Sequence, residues 1–156
     1  MLGKRRPYPL TIKIGGIQKM SKLVEFLHAN PIDELATEQV IFSARIKDKA
    51  GALIKATIGP MSSKAYNSYQ KQATKIGKKG KLDFDNDLYQ SLIVINHTQD
   101  PDFKDAKAIE KLGCHSAEQY LNRVLLPGEV AELSKAILSL SGFNDDLEDL
   151  KDRAKN

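Results

Sequence analysis

The one place where a thiol and an imidazole stand together is Cys114-His115, and Cys114 is the chain's single cysteine. Such a pair could serve as nucleophile and base, or as two ligands of a metal. Adjacent residues diverge on either a helix or a strand, so this spacing supports neither use, and His28 and His97 lie far off along the chain. A lone cysteine reads as a small half-buried side chain. Asp83, Asp85 and Asp87 resemble the opening of a calcium loop, but Leu88 occupies the position that needs glycine and Val94 the position that needs glutamate. Capping and solvation account for these acids. Glu129 and Glu132 could act as a carboxylate pair, yet on a solvated helix face they need no functional explanation. The run Lys75-Ile76-Gly77-Lys78-Lys79-Gly80-Lys81 lacks the Gly-Lys-Ser/Thr ending of a phosphate-binding loop, so it reads as a solvated, glycine-broken basic loop. Tyr66, Tyr69, Ala73 and Ile76 fall at i, i+3, i+7 and i+10; such a stripe could stack bases, and core packing is the better reading. Nucleophile-elbow, zinc-helix and dinucleotide motifs do not occur in the sequence. No catalytic, cofactor-binding or metal-binding residue is assigned, no cofactor is called for, and a binding or assembly protein is expected rather than an enzyme.

The elements that would carry these residues are legible in outline. Ser21–His28 predicts a short helix stopped by Asn30-Pro31. Gln39–Lys47 alternates with Val40, Phe42, Ala44 and Ile46 on one face, Asp48–Gly51 is turn chemistry, and Ala52–Ile58 alternates again. These predict an antiparallel hairpin. Ser62 or Ser63 caps a helix running to about Ile76, and Asp85 caps a largely apolar, central helix from Asn86 to about Thr98. Short helices follow over Asp105–Leu112 and Ala117–Val124, the second opened by the capping box Ser116-Ala117-Glu118-Gln119. Pro127 opens the last main helix, with Val130, Leu133, Ile137 and Leu140 along one side; Gly142 terminates it and Phe143 folds back toward Leu138. The expectation is an α+β fold: one small antiparallel hairpin, with Leu82–Phe84 as a candidate third strand, packed with about five helices in a mainly helical C-terminal half.

The chain has 156 residues, enough for one domain with a sizeable core, and its 41% apolar and 28% charged composition is that of a globular protein. No apolar run reaches the roughly 20 residues that span a bilayer. The formal charge of +4 is polarised: residues 1–81 hold 16 Lys/Arg against 5 Asp/Glu (+11), and residues 82–156 hold 8 against 15 (−7). Residues 1–19 differ from the rest, with five basic residues, no acid, and no convincing helical or alternating pattern. Gly15-Gly16 stands where a ribosome-binding sequence would precede Met20. Residues 1–19 are therefore read as a translated leader or a disordered basic arm, 20–143 as the single domain, and 144–156 as a charged, flexible tail, either frayed or a solvated helix. The intact mass of the protein from its native gene tests the leader reading, and a full-length mass would sink it.

From Ser91 to Phe143 the sequence resembles the XkdN-like family of tail assembly chaperones, from contractile-tailed phages and prophages of Gram-positive bacteria. Three pieces carry the likeness. They are an apolar helix leading into Thr98-Gln99-Asp100-Pro101-Asp102-Phe103-Lys104-Asp105, then Leu112-Gly113 with a short helix ending Leu125-Leu126, then Pro127-Gly128-Glu129-Val130 running through Leu133 and Ile137 to Leu140-Ser141-Gly142-Phe143. The N-terminal part fits more loosely, through Met20–Pro31 and the hairpin with Arg45, Asp48 and Gly51. The resemblance implies a non-catalytic role: holding a tape-measure protein soluble and helping tail tube subunits assemble around it, in the host cytoplasm and outside the finished virion. It brings no catalytic residues and names no partner-binding residue; Pro127, Gly128 and Glu129 have a sufficient reading as a helix start. The rival classes are a small nucleic-acid-binding protein, disfavoured because its charge argument leans on residues 1–19, and a structural tail or baseplate component.

Overall fold

The computed structural model describes residues 11–14, 17–31, 36–143 and 146–155. Two compact units divide the chain, Met1–Asp33 and Glu34–Asn156. The first contains strands β1 (Thr11–Ile14) and β2 (Ile17–Met20) and helix α1 (Lys22–Ala29). The strands pair antiparallel with Ile14 opposite Ile17 and Thr11 opposite Met20. Paired strands thus occupy part of the segment in which the sequence shows no alternating pattern; the rest of the expected leader, residues 1–10, 15 and 16, lies outside the described residues. Helix α1 begins where expected, with the Ser21 hydroxyl accepting from the Val24 N–H at 3.1 Å.

In the second unit β3 (Glu38–Ile41) and β4 (Lys55–Ile58) form the expected hairpin, with Val40 opposite Ala56. Its turn is built as the residue types require. The Asp48 carboxylate accepts from the N–H groups of Ala50 and Ala52, and Gly51 takes a φ of +85° that favours glycine. Strand pairing stops after Ile41, however, and resumes only as an isolated bridge between Lys47 and Leu53. Between them Phe42 and Ser43 turn inward while Ala44 is exposed, so strict alternation fails there.

A third strand does join this sheet, but it is β7 (Thr98–Asp100), antiparallel to β4, rather than Leu82–Phe84. The central helix α3 (Asn86–His97) runs directly into β7, and the Gly59 N–H donates to the His97 carbonyl at 2.9 Å across that junction. Leu82–Phe84 forms β6 and pairs instead with β5 (Thr74–Ile76) in a separate two-stranded ribbon. Helix α2 (Ser63–Ala73) therefore stops three residues before the expected Ile76. The β-branched Thr74 and Ile76, next to Gly77, favour extended backbone there.

Helix α3 is the hub, packing against α2, α5 (Ala117–Val124) and α6 (Pro127–Leu140), with Ile93 and Val94 fully buried. Leu121, Leu133 and Ile137 meet it from α5 and α6, Tyr69 from α2, and Ala56 and Ile58 from β4. Each fully buried aliphatic side chain contributes about 1.5–3 kcal/mol by leaving water. Short α4 (Ala106–Lys111) is capped by Asp105 and α5 by Ser116, while Gln119 accepts from the His115 N–H at 2.8 Å rather than from that of Ser116, so only the first half of the expected box forms. The end of α6 matches its sequence signal: Gly142 has φ +102° and the Phe143 N–H donates to the Leu138 carbonyl at 3.0 Å. Within the charged tail, for which a helix is one of the two expected forms, α7 (Asp146–Lys155) is helical.

Candidate interaction surface

None of the sequence candidates for chemistry converge. Cys114 is a free, half-buried thiol, and its neighbour His115 is exposed. Asp85 caps α3 by accepting from the Leu88 N–H at 3.0 Å, while Asp83 sits in β6. Among the described residues no group of three or more His, Cys, Asp or Glu side chains could hold a metal ion.

Glu129 departs most from expectation. It is 6% exposed rather than solvated, whereas Glu132 is exposed as expected. Helix α6 begins at Leu126-Pro127, and a leucine cannot cap. Glu129 reaches back instead, accepting from the Leu126 N–H at 2.7 Å. That oxygen, Oε1, also accepts from Arg45 at 2.8 Å, while the other, Oε2, accepts from the Ser43 hydroxyl. The same Arg45 nitrogen donates to the Val124 carbonyl at 2.7 Å, tying the end of α5 into the group. Burial by itself would raise the carboxyl's pKa. The Ser43 hydroxyl, the Leu126 N–H and the Arg45 guanidinium outweigh it and hold the group below its ordinary value. This is a lock between the segment after β3 and the α5–α6 corner, in which both Glu129 oxygens are used internally. The sequence did carry one signal: the cap position before Glu129 lacks a side-chain acceptor.

A second polar contact joins α2 to α3, where the Tyr69 hydroxyl and His97 Nε2 lie 2.7 Å apart. Burial lowers the His97 pKa, the nearby Lys104 ammonium adds to the effect, and a hydrogen bond to the Pro60 carbonyl opposes it.

Surface that the fold leaves unused is concentrated on the β5–β6 ribbon. Thr74 pairs with Phe84, Lys75 with Asp83, and Ile76 with Leu82. Because side chains alternate along a strand, Thr74, Ile76, Leu82 and Phe84 share one face and Lys75 and Asp83 the other. Ile76 is 79% exposed and Leu82 74%, so the expected core stripe on α2 ends at Ala73 and Ile76 belongs to the surface. The basic run expected as a loop forms the end of this ribbon. Its turn is closed by the Gly77 N–H on the Lys81 carbonyl, with Lys79 and Gly80 at positive φ and Lys78, Lys79 and Lys81 around it. From Phe84 an aromatic series continues inward through Tyr89 (5.2 Å) and Tyr66 (6.2 Å) to Phe143 (4.9 Å). Burial, then hydrogen bonding and charge interaction with Tyr66, push the Tyr89 pKa up to about 12. None of Lys75, Lys78, Lys79 and Lys81 forms an ion pair.

Three comparisons place the chain among known proteins. The family model described as "Phage XkdN-like tail assembly chaperone protein" matches residues 23–155. The phage-like element PBSX protein XkdN of Bacillus subtilis (strain 168) is 30% identical over 123 residues, 76% of this chain and 83% of that protein. YqbN of the same organism is 26% identical over 144 residues, covering 89% and 96%. A crystal structure of YqbN superposes with a TM-score of 0.63 at 22% identity, over 81% of this chain and all of that one, a likeness of fold.

Proposed function

The chain belongs to the XkdN-like family of phage tail assembly chaperones, and from that membership we propose that it binds the tape-measure protein and assists assembly of the tail tube around it, without catalysis of its own. The observation that carries this reading is the family match over residues 23–155, which takes in nearly all of the second unit. A chaperone of this kind covers apolar surface on its client reversibly, which calls for apolar surface of its own that folding does not consume. The β5–β6 ribbon and the α1 face bearing Leu23 and Phe26 have that character, since each of these apolar side chains is largely exposed. The lysines of the ribbon turn and the charged C-terminal segment are candidate steering elements, raising the rate of encounter more than the final affinity. Work in the host cytoplasm and absence from the finished particle belong to the same proposal; among the described residues no helix is long and apolar enough to cross a membrane.

The test is co-expression with the tape-measure protein encoded nearby. Its solubility and co-purification are compared with and without this chain. A soluble client that comes down in complex supports the reading. An indifferent client removes the tape-measure mechanism, and purified particles and salt-dependent nucleic-acid binding become the next assays.

A further inference from the structure

Where the start of α6 meets the first two turns of α3 and the end of α5, the helices leave a cavity of about 320 Å³. Ligand pockets run from about 300 to 1,000 Å³, so this one suits a single long side chain. Asp87, Gln90 and Ser91 line it from α3 at i, i+3 and i+4, one face of that helix, and Asn122 lines it from α5. Leu125, Pro127 and Val130 supply an apolar wall. Among the described residues, none of the four polar side chains has a hydrogen-bond or ion-pair partner in the protein. Water can serve Asp87 and Asn122, which are exposed. Ser91 is different: it is 3% exposed, and a buried hydroxyl without a partner is costly. Asp87 lies in the first turn of α3, where the helix dipole favours an acid. That accounts for the charge, but not for an unpartnered serine one turn further on that opens onto the same cavity.

The oxygens of all four polar side chains can accept, and Asp87 is the one charged side chain lining the cavity among the described residues. An anion is therefore repelled. An ammonium is a compact point charge with three donors, whereas a guanidinium spreads five N–H donors over a planar fork and carries an apolar stem. We propose that the cavity receives an arginine side chain of the polypeptide that this chain binds, a proposal that rests on the chaperone reading for the source of the arginine. The guanidinium pairs with the Asp87 carboxylate and donates to the Ser91 hydroxyl and to the side-chain carbonyls of Gln90 and Asn122. Its methylene stem lies against Leu125, Pro127 and Val130.

Titration of the ¹⁵N-labelled full chain with N-acetyl-arginine amide, followed by NMR, tests it; N-acetyl-citrulline amide is the neutral isostere. Saturable shifts of the Gln90 and Asn122 side-chain amides are expected, with a Kd on the order of millimolar for arginine and at least about tenfold weaker binding of citrulline. Asp87→Asn should weaken arginine binding about tenfold and Ser91→Ala about threefold. Ser91→Ala should also leave the melting temperature unchanged or raised, since it removes a hydroxyl that has no partner in the free protein. No saturable shift with arginine overturns the proposal. So does equal binding of the two probes, or a folded Asp87→Asn variant that binds arginine as tightly as the parent. A tape-measure protein that stays indifferent while arginine binds overturns the client reading alone, and an unbound probe beside a bound client overturns this site alone.

Discussion

Glu129 and the Ile76–Leu82 pair invert the usual arrangement. A carboxylate is 6% exposed, and two aliphatic side chains are 79% and 74% exposed. In the first region burial is tolerated because three donors from different parts of the chain converge on the carboxylate. In the second, exposure arises because α2 ends at Ala73 and turns the next apolar residues into a ribbon that no other element covers. Hydropathy ranks these residues the wrong way round. What separates them is whether the rest of the fold supplies a partner. One region is finished by folding, and the other stays exposed in the folded chain.

Mutations should separate the two regions sharply. The largest effect is expected for Glu129→Ala, which strands the Leu126 N–H and the Ser43 hydroxyl. Urea unfolding should show a loss of about 2–4 kcal/mol. A change under about 0.5 kcal/mol would mean that water replaces the carboxylate and the region is no lock.

Acid should act in the same direction through two groups. The folded-state pKa of His97 lies below its ordinary value, so its contribution is complete above about pH 6.5 and is lost as pH falls further. The Glu129 pKa is also depressed, so its contribution is present above the ordinary carboxylate range and lost as pH falls through the folded value. Melting temperature should therefore hold near neutrality, fall below about pH 6.5, and fall again in stronger acid. His97→Gln should remove the first step and leave the second.

Arg45→Ala is expected to cost about 1 kcal/mol by the same urea measurement, because the guanidinium is half exposed and solvent screens much of its attraction for Glu129. Smallest of all, Ile76→Ser/Leu82→Ser should shift stability by no more than about 0.5 kcal/mol. A loss comparable to that of Glu129→Ala would mean the ribbon face is packed, and the contrast between the regions would collapse.

Local signals read from the residues hold up well. Ser62, Asp85 and Ser116 each accept a hydrogen bond from the first turn of the helix that follows, and so do Ser21 and Asp105, which the sequence reading places inside their helices. Asp48–Gly51 turns the hairpin, and Gly142 ends α6 as its position predicts. Such features are bonds between residues two to four apart, so composition and spacing suffice to determine them. The α+β class and the central, apolar α3 follow from periodicity for the same reason.

The exposed ribbon and the Glu129 group were less legible. The Ile76 position continues the α2 stripe in sequence, and Leu82–Phe84 has the length and residue types of a strand for either sheet. Only the packed fold pairs Leu82–Phe84 with Thr74–Ile76 and gives the third place beside β4 to Thr98–Asp100. Likewise, Glu129 in a helix-start motif looks solvated until Ser43 and Arg45, 86 and 84 residues away, are brought to it. The sequence determined what each segment does with its own neighbours. The tertiary structure decided which side chains meet, because burial and strand pairing depend on groups distant in the chain.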